Sequence, residues 1–117
     1  PCMHEALFYD GFLKDTDVTT LDFAKAMIDE GFHPMTMYFP LVVHGALLIE
    51  PTETESRDSL DEFVGALRGL VDDAQSGNLV RFLGAPYLSP RRRLDETAAA
   101  RAPVLRWAPP SVPEGSE

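Results

Sequence analysis

The sequence predicts a two-layer α+β domain, a small antiparallel or mixed sheet covered on one face by helices. Three observations predict it. Strand-like apolar runs at residues 3–9 and 41–50 alternate with helical patterns. Residues 60–74 carry one apolar stripe at helical spacing over four turns. The chain has 117 residues, room for one hydrophobic core and no more.

Taken in order, residues 3–9 (MHEALFY) read as a strand, and Asp10-Gly11 as a turn, because glycine takes positive φ without penalty. Residues 14–17 are a polar loop. Thr19 is placed to cap a first helix over residues 20–30. Asp22 then falls at the third helical position, beside the free amides and the positive end of the dipole. Leu21, Ala24 and Ile28 form its stripe, with Phe23 and Met27 beside it, and Gly31 stops it. Residues 32–39 are a loop or short strand, since Pro34 extends His33 and Pro40 interrupts any pairing. Leu41, Val42 and Val43 read as one strand and residues 46–50 as another, with His44-Gly45 the bend or tight hairpin between them. Thr54 or Ser56 caps the second helix. Its stripe is Leu60, Phe63, Val64, Leu67, Leu70, Val71 and Ala74, and Ser76-Gly77 ends it. Residues 79–88 are apolar but broken by Gly84 and Pro86. A short helix is expected over residues 94–101 and an extended segment over 103–107. The expected organisation is one domain over residues 1–107, with a wrapping segment at 78–107, then a flexible tail at 108–117.

Charge and cysteine count exclude several classes. With 19 acidic against 10 basic residues the net charge is -9, which withholds the cationic footprint of a nucleic-acid binder. The run Arg91-Arg92-Arg93 reads as a solvated or salt-bridged loop. One cysteine, Cys2, allows no disulfide framework and fits a reducing compartment. No segment holds the roughly 18 apolar residues that a membrane span needs. The chain opens Pro1-Cys2-Met3-His4 directly into strand-like sequence, so a piece of something longer is expected.

Each chemical constellation has a plainer structural explanation. Cys2 and His4 share a strand face, as a nucleophile pair would, but no third orienting group is visible. His4-Glu5 begins like a zinc-protease helix, yet Phe8 stands where the second histidine belongs. Histidines 4, 33 and 44 lack metal-ligand spacing. Glu50, Glu53 and Glu55, beside Thr52, Thr54 and Ser56, suit either an acid or cation site or a strand end with a capped helix. Lys14 and Lys25 lie in no apolar context that would lower their pKa for covalent chemistry. The residues themselves compose no catalytic machinery.

The runs CMHE (2–5), VTTLD (18–22), GFHPMTMYFPL (31–41) and IEPTETES (49–56) resemble the C-terminal domain of glycine dehydrogenase (decarboxylating), the P-protein of the glycine cleavage system. PRRRLDE (90–96), Ala100-Arg101 and PVLRW (103–107) resemble subunit 2 of its two-subunit bacterial form. The resemblance implies the small C-terminal domain of a cytoplasmic, fold-type-I enzyme dependent on pyridoxal phosphate. The parent would decarboxylate glycine and transfer the aminomethyl group to the lipoyl H-protein. The partners implied are the large cofactor domain of the same subunit and the companion P-protein subunit, with no nucleic acid and no membrane. Neither Lys14 nor Lys25 matches the Schiff-base lysine, so no catalytic, covalent-cofactor or metal residue is expected here and the chain alone is expected to be inactive. His33, Thr36, Glu53, Thr54 and Glu55 are the candidates for the edge facing the cofactor cleft. The alternative is a freestanding, non-catalytic binding or scaffold module derived from that domain.

Overall fold

A computed structural model describes residues 3–109. In chain order it contains strand β1 (Ala6–Phe8), a 3-10 turn (Asp10–Leu13), helix α1 (Thr20–Asp29), strands β2 (Thr36–Met37) and β3 (Leu47–Ile49), and helices α2 (Arg57–Gln75), α3 (Val80–Leu83) and α4 (Glu96–Arg101). The sheet order is β1-β3-β2, antiparallel throughout, with Ala6 opposite Ile49 and Thr36 opposite Leu48. The helices accompany this small sheet in an α+β arrangement, as the alternating pattern predicts. Cys2, and with it the Cys2–His4 pair, lies outside the described residues, as does most of the expected tail.

The hairpin differs from expectation. Leu41, Val42 and Val43 form no strand; they turn inside the loop joining β2 to β3, Leu41 and Val42 exposed and Val43 half-buried, and Val43 N–H donates to the Pro40 carbonyl at 3.0 Å. Pro40 has no amide to give a ladder. Tyr38 and Gly45 both take positive φ (61° and 54°), which bends the chain at each end of the loop. Tyr38 N–H donates to the Ala46 carbonyl at 2.8 Å, so β2 pairs just before Pro40, not after it.

Helix α1 begins as its sequence demands. Thr19 Oγ1 accepts from Asp22 N–H at 3.1 Å, and Thr19 N–H donates to Asp22 Oδ2 at 3.0 Å, a reciprocal capping box. Its buried face is rotated slightly from the expected stripe. Phe23, Ala24, Ala26 and Met27 are buried, whereas Leu21 and Ile28 are half-buried. The cause is α3, which the apolar but Gly- and Pro-broken sequence did not predict. Phe82 of α3 is fully buried and stacks on Phe23 with ring centroids 6.3 Å apart. Phe12 meets Phe23 edge-on at 5.2 Å. Leu13, Val18, Leu47, Leu70, Ala74 and Ala85 complete the core. Burial of each large side chain contributes about 1.5–3 kcal/mol.

Residues 84–93 clasp this core. Asp29 accepts from the amides of Tyr87 and Leu88 at 2.7–2.8 Å. Arg93 reaches the carbonyls of Ala85 (2.7 Å) and Phe82 (2.8 Å) and pairs with Asp22 at 2.7 Å. Arg92 donates to the Gly84 carbonyl at 2.7 Å and lies over the Tyr87 ring. Two of the three consecutive arginines are thus built into the fold, and only Arg93 through an ion pair. Beyond residue 93 every described residue is exposed. Among the described residues no helix is long and apolar enough to cross a membrane.

Candidate functional site

Helix α2 carries the stripe that the periodicity predicts, but only its C-terminal half is covered. Leu70 and Ala74 are buried, while Leu60, Phe63, Leu67 and Val71 are half-buried and Val64 is 49% exposed. The uncovered half forms one wall of a groove of about 640 Å³. The sheet supplies the opposite wall through Ala6, Phe8, Leu48 and Ile49, and Phe32 meets Phe63 edge-on at 5.4 Å. Three short strands are too narrow to cover a 19-residue helix, so Phe63, Leu67 and Val71 are only partly buried against the core and Val64 is exposed.

One part of the groove's lining is polar. His33 and Thr36 line it from the approach to β2 and from β2 itself. Glu50, Thr52, Glu55 and Ser59 line it from the connection into α2. That connection is shaped locally. Ser56 is the cap, accepting from Ser59 N–H at 3.1 Å, and Ser59 Oγ donates to Glu55 at 2.9 Å. Of the five residues expected at a cleft edge, His33, Thr36 and Glu55 line this one groove. Glu53 and Thr54 sit in the exposed turn outside its lining, where the Thr54 hydroxyl meets that of Thr52 at 2.8 Å. The sequence reading missed the groove's apolar wall, because a perfect helical stripe looks the same whether or not something covers it. The signal was there in principle: the stripe is longer than the predicted strands could shield.

The polar part of the lining bears the Glu50 and Glu55 carboxylates and the His33 imidazole, and His4 and Glu5 lie close to Glu50 outside it. Beyond the Ala6–Ile49 pair the strands carry Glu5 and Glu50, and the ligand atoms of His4, Glu5 and Glu50 lie within 4.8 Å of one another. All three side chains are exposed, and water screens exposed groups of this kind. No lysine or arginine lines the groove. Lys14 is an exposed residue of a second, wider depression of about 810 Å³, and Lys25 is half-buried on α1 outside both.

That second depression surrounds the start of α1 and is internally satisfied. Tyr38 Oη accepts from Leu21 N–H at 3.2 Å, and Thr20 Oγ1 donates to the Gly45 carbonyl at 3.1 Å. His44 Nδ1 lies 2.8 Å from Asp10 Oδ2, and this hydrogen bond, with the attendant charge attraction, raises the His44 pKa above its ordinary value. Burial pushes the Asp22 carboxyl up. Its hydrogen bonds with Thr19 and its pairing with Arg93 outweigh that and leave it below the usual carboxylate value. Desolvation likewise opposes the charge on Arg81, but Glu30 and Asp73 together raise its pKa.

Fold and groove define a class: a small α+β domain whose principal helix is left half-covered beside an open groove. The sequence model described as "Glycine dehydrogenase, C-terminal domain" matches residues 1–80, and the chain belongs to that family. A relative from Caulobacter vibrioides, "Probable glycine dehydrogenase (decarboxylating) subunit 2", is 72% identical over 109 residues, covering 93% of this chain and 21% of the relative. Relatives of the same name from Kosmotoga olearia and Caldanaerobacter subterraneus are 48% and 51% identical, covering 92% and 91% of this chain and 22% of each relative. The chain thus spans about a fifth of the length of the curated relatives it matches.

Proposed function

We propose that this domain is the closing lobe of a pyridoxal-phosphate-dependent glycine decarboxylase, with the groove as its contribution to the cofactor cleft. The half-covered stripe of α2, opposed by the sheet and carrying His33, Thr36 and Glu55 among its polar residues, is the observation that carries this reading. On this reading the remaining four-fifths of the enzyme supplies the large fold-type-I domain that the groove meets.

The groove's own residues do not fit the cofactor. They include no amine for a Schiff base, and the Glu50 and Glu55 carboxylates repel a phosphate group. The Schiff-base lysine and the phosphate cradle therefore belong to the rest of the enzyme, and no step is assigned to this chain through the cofactor. What its residues contribute is a cover. Phe8, Leu60, Phe63 and Val64 exclude water from the closed cleft. His33, Thr36 and Glu55 present hydrogen-bonding groups at its rim, and Ser59 holds Glu55 in place. The parent reaction is decarboxylation of glycine with transfer of the aminomethyl group to a lipoyl carrier, in the cytoplasm.

Replacing His33 with alanine in the full-length enzyme tests the reading. A fall in glycine turnover or in affinity for pyridoxal phosphate, with unchanged thermal stability, is expected. Turnover and cofactor affinity both at the level of the unsubstituted enzyme would overturn it.

A further inference from the structure

We propose that His4, Glu5 and Glu50 form a binding site for a divalent transition-metal ion at one end of the sheet, independent of the activity proposed above. One imidazole and two carboxylates are a donor set that suits Zn2+ or Mn2+. The set is discontinuous. Two ligands precede β1 and the third follows β3. No spacing within one segment announces such a site, so the positions of the histidines in the sequence do not reveal it.

The fold brings the three residues together in two ways. The antiparallel register that pairs Ala6 with Ile49, carried one residue further, sets Glu5 opposite Glu50. Neighbouring residues of a regular strand point to opposite faces. A bend at Met3 and His4, before β1 begins, breaks that alternation and lets the His4 ring reach Glu5. His4 Nε2 stands 3.6 Å from Glu5 Oε2, and one donor atom from each of the three residues lies within 4.8 Å of the others. A tetrahedral ion with bonds of about 2.1 Å holds its donors about 3.4 Å apart. His4 and Glu5 are close to that spacing already. Glu50 closes the rest by rotating an exposed side chain.

The electrostatics call for a cation. Carboxylates directly opposite each other on adjacent strands oppose pairing. Among the described residues neither Glu5 nor Glu50 meets a lysine or an arginine, and the one ion pair either makes is that of Glu5 with His4. With a neutral imidazole the set carries two negative charges, which one divalent ion cancels. Water weakens the repulsion between exposed carboxylates but supplies no counter-charge. Direct coordination escapes that screening, because no water lies between the ion and its ligands. Three protein ligands leave the remaining positions to water. The ion staples the approach to β1 to the end of β3. Through Glu50 it fixes the first residue of the connection into α2 that lines the groove.

The test uses the full-length subunit that carries this domain, freed of metal by a chelator and titrated with Mn2+. The free ion is counted by its electron paramagnetic resonance signal. The unsubstituted subunit is expected to bind one ion more than the double variant Glu5→Gln with Glu50→Gln. His4→Gln is expected to weaken that ion's binding at least about tenfold, since losing a group that only orients a ligand already costs about 10–100-fold. Spin-echo modulation of the bound Mn2+ should report one imidazole nitrogen, absent in His4→Gln. Mn2+ should raise the unfolding temperature of the unsubstituted subunit and leave that of the double variant unmoved. In chelator the double variant should unfold no lower than the unsubstituted subunit, because it loses only a like-charge pair. Equal Mn2+ binding by all three proteins would mean an ion held elsewhere and would overturn the proposal. So would no binding by the unsubstituted subunit. A lower unfolding temperature of the double variant in chelator would overturn it too, because the carboxylates would then have a cationic partner within the enzyme.

Discussion

Asp22 joins two parts of the structure through one side chain. It closes the capping box of α1 with Thr19 and ties Arg93, hence the whole clasp, to the helix start. Its pKa is lowered on folding, so the stability it contributes is present above the ordinary value of 3.8 and is lost as pH falls through the lower folded value. Asp22→Asn is expected to cost about 1–3 kcal/mol near neutral pH, because Arg93 loses its partner. In urea titrations of the domain the difference from the unsubstituted chain should shrink below pH 3.8; a difference independent of pH would refute the pairing. His44 runs the other way. Asp10 raises its pKa, so its contribution is present below 6.5 and is lost as pH rises through the raised folded value. Proton NMR should find the His44 midpoint above 6.5, and Asp10→Asn should return it to that value. Gly45 is fixed by geometry. Its φ is 54°, and a Cβ there would fall 2.2 Å from the Asp10 carboxylate. Gly45→Ala should therefore destabilise by about 1–3 kcal/mol, read as a shift in urea midpoint.

At the scale of elements, α2 separates pattern from burial. Leu70→Ala removes a fully buried side chain and should cost about 2–5 kcal/mol. Val64→Ala lies on the same stripe but faces the groove, and in the domain alone it should change stability by no more than about 0.5 kcal/mol. Equal costs at the two positions would mean that the groove is closed in solution. Both helix starts were legible locally, because a cap and its acidic partner sit within one turn of each other at Thr19–Asp22, and Ser56 acts on Ser59. The strands were less so. β-branched Val42 and Val43 satisfy a strand pattern, yet the backbone amide missing at Pro40 and the left-handed turns at Tyr38 and Gly45 exclude them from the ladder. Helix α3 was not legible at all. Four residues carry too little periodicity, and Phe82 becomes a core residue only because Phe23 lies beneath it.

At the scale of the whole molecule, the groove, the exposed loop at Leu41 and Val42, and the exposed segment after residue 93 leave large apolar surfaces open. The isolated 117-residue chain should bind a hydrophobic dye or self-associate, and both signals should fall when the remainder of the enzyme is supplied in trans. A dye-silent, strictly monomeric chain would count against the lobe reading. The sequence by itself determined the α+β class, the two long helices with the cap of the first, and the family, because each rests on spacing within a few residues or on the order of residue types along the chain. Only the tertiary structure decided which half of the α2 stripe is core and which is groove. It alone brought His33, Thr36 and Glu55 to one edge and turned Arg92 and Arg93 into a clasp. Those outcomes depend on how far three short strands reach across a long helix, and on contacts between residues dozens of positions apart, which no local pattern encodes.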